Sequence, residues 1–372
     1  MPFPIPSPMT RLLPIAATLC LVACAYAAEP LAPAVVSPMQ SIPAEDSRFR
    51  YEGRIDRSNA AAPAIIWQAS QIAIDFEGPA LALRFEWIEG QNLFDVTVDD
   101  TTAVLAVNNA GHSRLALPQP LGPGRHRLTI FKRTEAAAGT ARFRGIEIAL
   151  GAHAWVPAAT KYKLKLQFIG DSITAGACNE DGSTDQWEDR STHNNARSYA
   201  AFTAADLAAD YRNIAVSGMG VVRGYVEPRA GQIWDRVYPV ATSPRADLTS
   251  WIPDVVCLNL GENDDSFTTT NKLPFPAGFT EAFVALVRSV RAAYPAAHIV
   301  ILRGGMYGGA NSEPFREAWG SAVRRLKAGD PRIHSYVFQH WSSNHPRVSD
   351  ARVMADELLA WLEKQKFMQA YR

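Results

Sequence analysis

The stretch "LKLQFIGDSITAG", residues 164–176, decides how the chain is read. A largely apolar run enters Gly170-Asp171-Ser172 and passes into the helix-compatible Ile173-Thr174-Ala175. That is a buried strand turning abruptly into a helix, as in a parallel sheet covered on both faces. The serine at the turn has two readings. It caps the helix by accepting a backbone N–H, or it is a nucleophile placed where backbone N–H groups favour developing negative charge.

Downstream the same rhythm repeats. "YRNIAVSG", "PDVVCLNLG", "AHIVILRGG" and "RIHSYVFQ" read as further strands. Between and after them lie "ARSYAAFTAADLAAD", "AGFTEAFVALVRSVRAAY", "SEPFREAWGSAVRRLKAG" and "VSDARVMADELLAWLEKQ", all with helical periodicity. Strands alternating with helices predict an α/β domain, and ligands of such sheets bind at the carboxyl ends of the strands.

Upstream, residues 46–150 have a different period. "QIAIDFEG", "ALALRFEW", "LFDVTVDD" and "RHRLTIFKR" are short and alternating, as are "RFRYEGRI", "AIIWQAS", "TAVLAVN" and "ARFRGIEIAL". Turn signals such as Glu77-Gly78-Pro79 and Gly122-Pro123-Gly124 separate several of them. The pattern predicts an antiparallel β-sandwich of the jelly-roll kind. The expected division is 1–27 for export, 40–155 for the sandwich and 160–372 for the α/β domain.

At 372 residues the chain is long for one core, which agrees with two domains. Lys plus Arg and Asp plus Glu each number 37, so no basic excess points to nucleic acid. Arg11 followed by "LLPIAATLCLVACAYA" reads as a signal peptide ending at Ala27, too short for a comfortable membrane span. Leu21-Val22-Ala23-Cys24 offers the alternative of a lipid on Cys24. A secreted or periplasmic protein, or a lipid-anchored one, is expected, with no membrane span. Cys178 and Cys257 follow no metal-binding spacing, and Cys257 reads as a core thiol.

Four of the strand ends carry a residue suited to one chemistry. Ser217-Gly218 could bring the Gly218 N–H close to an oxyanion, or be a plain turn. In "LGENDDS", Asn263 presents a neutral amide, a donor suited to an anion that exists only in a transition state. Asp264 and Asp265 lack partners at metal spacing. In "QHWSSNHPRVSD", His345 is the base candidate for an otherwise inert serine, with His340 the runner-up. His112, His126, His153, His193, His298 and His334 read as surface or packing residues.

The order Ser, Gly, Asn, His resembles the SGNH (GDSL-like) hydrolases. Over residues 46–365 the chain resembles carbohydrate esterase family 2, through "YEGRID", "IDFEG", "RHRLTIFKRTEA", "FIGDSITAG", "ARSYAAFTAADL", "AVSGMGVVRGY" and "LGEND". The resemblance implies a jelly-roll domain before a flavodoxin-like SGNH domain. It implies removal of acetyl groups from plant polysaccharides without metal or organic cofactor. Ser172 would be nucleophile and His345 base. Gly218, Asn263 and the N–H of Ser172 would form the oxyanion hole. Tyr225 and Tyr307 would flank a sugar.

Two positions depart from the family pattern. Ser342 stands where many SGNH enzymes have an aspartate three residues before the histidine, leaving Ser342 or a backbone carbonyl to orient the ring. Asn344 stands where some relatives carry a sugar-stacking aromatic. A different acyl specificity, or a carbohydrate-binding protein without catalysis, are the alternative functions.

Overall fold

The computed structural model describes residues 38–111, 114–116 and 121–371. The export segment 1–27, with Cys24, and His112 lie outside the described residues.

The front half is built of short strands. They are β1 (Met39–Pro43), β2 (Arg50–Glu52), β3 (Ile55–Asp56), β4 (Ala64–Ile65), β5 (Gln71–Glu77) and β6 (Leu81–Gly90). Then follow β7 (Asn92–Val98), β8 (Thr101–Val107), β9 (Arg114–Ala116), β10 (Arg125–Lys132), β11 (Gly139–Ala149) and β12 (Ala154–Trp155). They form two antiparallel sheets, one in the order β3-β4-β11-β6-β9 with β1 on β11, the other β12-β5-β10-β7-β8 with β2 on β5. Alternation explains the packing. Ile72, Ile74 and Phe76 of β5 and Leu128 and Ile130 of β10 meet Leu83, Phe85, Phe143 and Ile146 from the other sheet in one core.

One expected strand is cut short. "AIIWQAS" pairs only through Ala64 and Ile65, and its remainder leaves the sheet. The reason is packing: Ile66 and Trp67 are fully buried in the core of the following half, and the Trp67 indole donates to Val237 O at 2.7 Å. Full burial of such a side chain contributes on the order of 3 kcal/mol, enough to outweigh a few ladder hydrogen bonds.

The second half alternates as its sequence predicts. In chain order it comprises β13 (Lys165–Gly170), α1 (Ser172–Ala175), α2 (Tyr199–Asp206), β14 (Asp210–Ala215), α3 (Ala230–Ile233), β15 (Val255–Asn259) and α4 (Glu262–Thr270). It continues with α5 (Phe279–Ala293), β16 (His298–Met306), α6 (Tyr307–Asn311), α7 (Glu313–Gly329), β17 (Ile333–Ser342) and α8 (Val348–Leu362). The five strands are parallel in the order β14-β13-β15-β16-β17, the flavodoxin-like arrangement. Successive residues face opposite sides. Ile169, Leu258 and Ile301 pack under α5 and α7, while Phe168, Cys257 and Val300 pack under α2 and α8. Cys178 and Cys257 are both buried and free. No helix among the described residues is long and apolar enough to cross a membrane.

Candidate active site

The strand β13 delivers Ser172 to the carboxyl edge of the sheet. Gly170 is required there because a Cβ would stand 2.1 Å from the Thr174 hydroxyl oxygen. Asp171, not Ser172, caps the single-turn α1, its carboxylate accepting from Ile173 N at 3.1 Å. Ser172 is therefore free of the capping role that competes with the nucleophile reading. Burial, reinforced by Glu262, pushes Asp171 up to about 8.

His345 reaches Ser172 from the loop after β17. Its Nε2 accepts from the Ser172 hydroxyl at 2.7 Å, and its Nδ1–H donates to the Asp185 carboxylate at 2.6 Å. The His345 backbone N–H donates to the same Asp185 oxygen at 3.2 Å, and Arg347 donates to the other at 2.7 Å. Burial alone would raise Asp185, but the hydrogen bonds from His345 and Arg347 outweigh it and hold the carboxyl well below its usual range. An ionised Asp185 fixes the Nδ1–H tautomer and leaves the Nε2 lone pair on the serine. Ser342 has a different partner: its hydroxyl donates to Asn344 O at 2.6 Å. The choice left open between Ser342 and a backbone carbonyl resolves to neither.

Gly218 and Asn263 line the same pocket as Ser172 and His345. Gly218 has φ +77°, a left-handed conformation, and a Cβ would meet Tyr225 Cβ at 3.2 Å. Asn263 sits in the first turn of α4, where Nδ2 donates one hydrogen to Met219 O at 3.1 Å and keeps a second. Asp264 is committed to the backbone. Its carboxylate accepts from Val221, Val222 and Arg223 N–H at 2.7, 2.7 and 2.8 Å, which fixes the segment after Gly218. Burial pushes Asp264 up to about 6 and Glu262 to about 7. Asp265 accepts from the Ser312 hydroxyl.

Ser172, Gly218, Tyr225, Asn263 and His345 line one pocket of about 550 Å³. Tyr307 is not in its lining; it is exposed at the start of α6, edge-on to Trp341 at 5.8 Å. His340 is engaged elsewhere, with Nε2 2.7 Å from Asp350. Cys178, Asp185 and His345 also stand within 4.8 Å of one another. Burial, with the Asp185 charge next, keeps that thiol protonated, and Asp185 and His345 are engaged with each other.

Sequence reasoning missed Asp185 and Trp187. Both lie in the stretch 178–198, which has only short 3₁₀ turns. Trp187 lines the pocket edge-on to His345, ring centroids 5.0 Å apart, and carries the Arg190 guanidinium over its ring at 5.1 Å. The available signal was length: a long connection without periodicity, directly after a candidate nucleophile, is more often functional than idle.

Comparison with known proteins follows this geometry. Residues 51–157 match the family described as Carbohydrate esterase 2 N-terminal, and residues 168–353 match the GDSL-like Lipase/Acylhydrolase family. The chain is 31% identical to Cellulase/esterase CelE of Acetivibrio thermocellus over 326 residues, 85% of this chain and 39% of that one. It thus spans about two fifths of CelE. It is 27% identical to the Acetylxylan esterase / glucomannan deacetylase of Cellvibrio japonicus, covering 81% of this chain and 85% of that one. Among solved structures it is similar to a family two carbohydrate esterase from Clostridium thermocellum in complex with cellohexaose. The TM-score there is 0.76 at 30% identity, over 85% of this chain and 98% of that one.

Proposed function

This chain belongs to carbohydrate esterase family 2, and on that footing we propose that it is a serine esterase removing O-acetyl groups from plant polysaccharides of the acetylxylan and glucomannan type. The observation that carries the reading is the 2.7 Å contact between the Ser172 hydroxyl and His345 Nε2, backed by Asp185.

The proposed reaction runs in two halves. Ser172 Oγ attacks the acetyl carbonyl carbon while its proton passes to His345 Nε2, and Asp185 stabilises the imidazolium. The N–H groups of Ser172 and Gly218 and the Asn263 amide hold the oxyanion; each such donor contributes about 10²–10³ in turnover. Collapse breaks the ester C–O bond, and His345 returns the proton to the departing sugar oxygen. Water, deprotonated by the same base, then attacks acetyl-Ser172 and releases acetate. Tyr225 and Trp187 flank the sugar ring, Trp187 supplying from a different loop the aromatic that Asn344 does not. Tyr307 and Trp341 serve only chains that extend past the pocket.

The test is acetate release from acetylated xylan, acetylated glucomannan and p-nitrophenyl acetate. Ser172→Ala is expected to abolish all three, and activity retained in a folded variant would refute the assignment. The acylhydrolase match supports a second reading, hydrolysis of longer acyl esters on the same residues. An acyl-length series that prefers butyrate or longer over acetate would establish it. Glycan binding without acetate release would instead favour a non-catalytic role. We further propose export, with residues 1–27 removed or Cys24 lipidated; mass spectrometry of the mature amino terminus separates the two.

A further inference from the structure

Glu135 belongs to the sandwich, in the connection between β10 and β11, yet it lines the pocket beside Ser172. It is only 3% exposed. Its Oε2 accepts from the backbone N–H of Ser217 at 2.6 Å, and its Oε1 lies 3.9 Å from Arg190 Nη1. A carboxylate buried this deeply is costly to retain for packing alone. Its shortest bond goes to the residue whose carbonyl carbon is joined to the Gly218 nitrogen. Anchoring Ser217 N fixes the Val216–Ser217 peptide, the one immediately before the plane from which the Gly218 N–H projects. Gly218 has no side chain of its own to restrain it and stands in the left-handed region.

The neighbouring residues make the same crossing. Gln68 of the sandwich accepts from Ala136 N at 3.1 Å and donates to Ala215 O at 2.9 Å, at the end of β14 just before this turn. Arg133 donates to Ser191 O at 2.7 Å and to the Glu180 carboxylate, and Gln91 accepts from Arg190 N at 2.9 Å and donates to Glu188 O at 2.6 Å. Those bonds bracket the loop that carries Asp185. The sandwich thus grips both sides of Ser172, the oxyanion turn through Glu135 and the aspartate loop through Arg133 and Gln91.

Resting on the esterase reading above, we propose that Glu135 is a positioning residue for the oxyanion hole, which makes the sandwich a part of the hydrolytic machinery. Misplacing a transition-state donor by about 1 Å costs on the order of 10²-fold. The experiment is steady-state kinetics on p-nitrophenyl acetate, with affinity for a boronic acid as a tetrahedral analogue and melting temperature alongside. Glu135→Ala is expected to lower kcat about 10- to 100-fold with KM within about threefold, and to weaken boronate binding by the same factor as kcat. Glu135→Gln keeps an acceptor for Ser217 N–H and is expected to stay within about threefold of the parent. If Glu135→Ala does not fold, Glu135→Asp decides, since its shorter arm should lose kcat in the same way. A folded Ala or Asp variant with kcat within about threefold of the parent would overturn the inference, whatever its melting temperature. So would a change confined to KM. Ser172→Ala run in parallel separates the failures: if it is dead while Glu135→Ala is normal, only this inference falls, and if it is active, the reading beneath falls.

Discussion

The Asp185 carboxylate and the His345 Nδ1 stand 2.6 Å apart, although 160 positions separate them in the chain. The aspartate arrives not from the loop bearing the histidine but from the one that follows the proposed nucleophile. Arg347 ties the two loops together by donating to Asp185 at 2.7 Å and to Cys178 O at 2.8 Å.

Asp185→Asn is therefore expected to lower kcat about 10²- to 10⁴-fold with little change in KM, because an amide cannot stabilise the imidazolium and can select the wrong tautomer. Kinetics on p-nitrophenyl acetate, with a circular-dichroism check of folding, measure it. A loss under threefold would mean that serine and histidine suffice alone.

Ser342→Ala is expected to leave kcat/KM within about twofold. Its hydroxyl is committed to Asn344 O and is no partner of the ring, and a single half-buried hydrogen bond at the end of β17 contributes about 1 kcal/mol. A defect as deep as that of His345→Ala would return this position to the machinery.

Trp187→Ala should separate glycan from small ester. The indole lines the pocket edge-on to the histidine, with the Arg190 guanidinium over its ring, and lost sugar contact of about 1–1.5 kcal/mol corresponds to roughly a tenfold rise in KM on acetylated oligosaccharides. On p-nitrophenyl acetate kcat/KM should move less than about threefold. Equal losses on both substrates would show that the ring acts on His345 rather than on the sugar.

A pH effect arises away from the pocket. His298 Nδ1 and His334 Nε2 are 3.0 Å apart, and Phe367 stacks on both rings. Burial, with His298 next, holds His334 down to about 4. The unfolded chain, with its imidazole near 6.5, binds more protons between these values. The contribution of His334 to stability should thus rise with pH from about 4 to about 6.5 and be level above, opposite in sign to that of the buried Asp171, Glu262 and Asp264 carboxyls. His334 is half-buried, so its share is discounted to about 1 kcal/mol. Thermal melts of the parent and of His334→Gln across this range should differ by an amount that grows as pH rises from about 4 to about 6.5; a difference independent of pH would sink the assignment.

The sheet was legible because its strands obey one rule, apolar residues on both faces, and the helices α5, α7 and α8 carry long amphipathic stripes. The helix α4 was not, since "ENDDSFTTT" offers a single large apolar side chain, Phe267, and is held by Asp264 and its backbone partners rather than by a stripe. Four residues proposed for the chemistry, Ser172, Gly218, Asn263 and His345, could be read because strand ends of a parallel sheet converge. Asp185 could not, because it stands on a loop whose path is set by tertiary contacts to Arg133, Gln91 and Arg347. Three residues before the histidine stands Ser342, whose hydroxyl this chain uses to hold its own turn. Tyr307 rests on the family resemblance alone, and at the start of α6 it stands exposed and edge-on to Trp341, outside the pocket lining.

The connector near residue 160 invites an engineer to cut there and keep the smaller, nucleophile-bearing fragment. Trp67 argues against it. Removing the front half would leave an indole-sized hollow beside Val237 and open the rim of the cleft that Glu135 and Ala137 line. Recombining halves from distant relatives would meet the same obstacle, so gene shuffling within this lineage should succeed only when both pieces travel together.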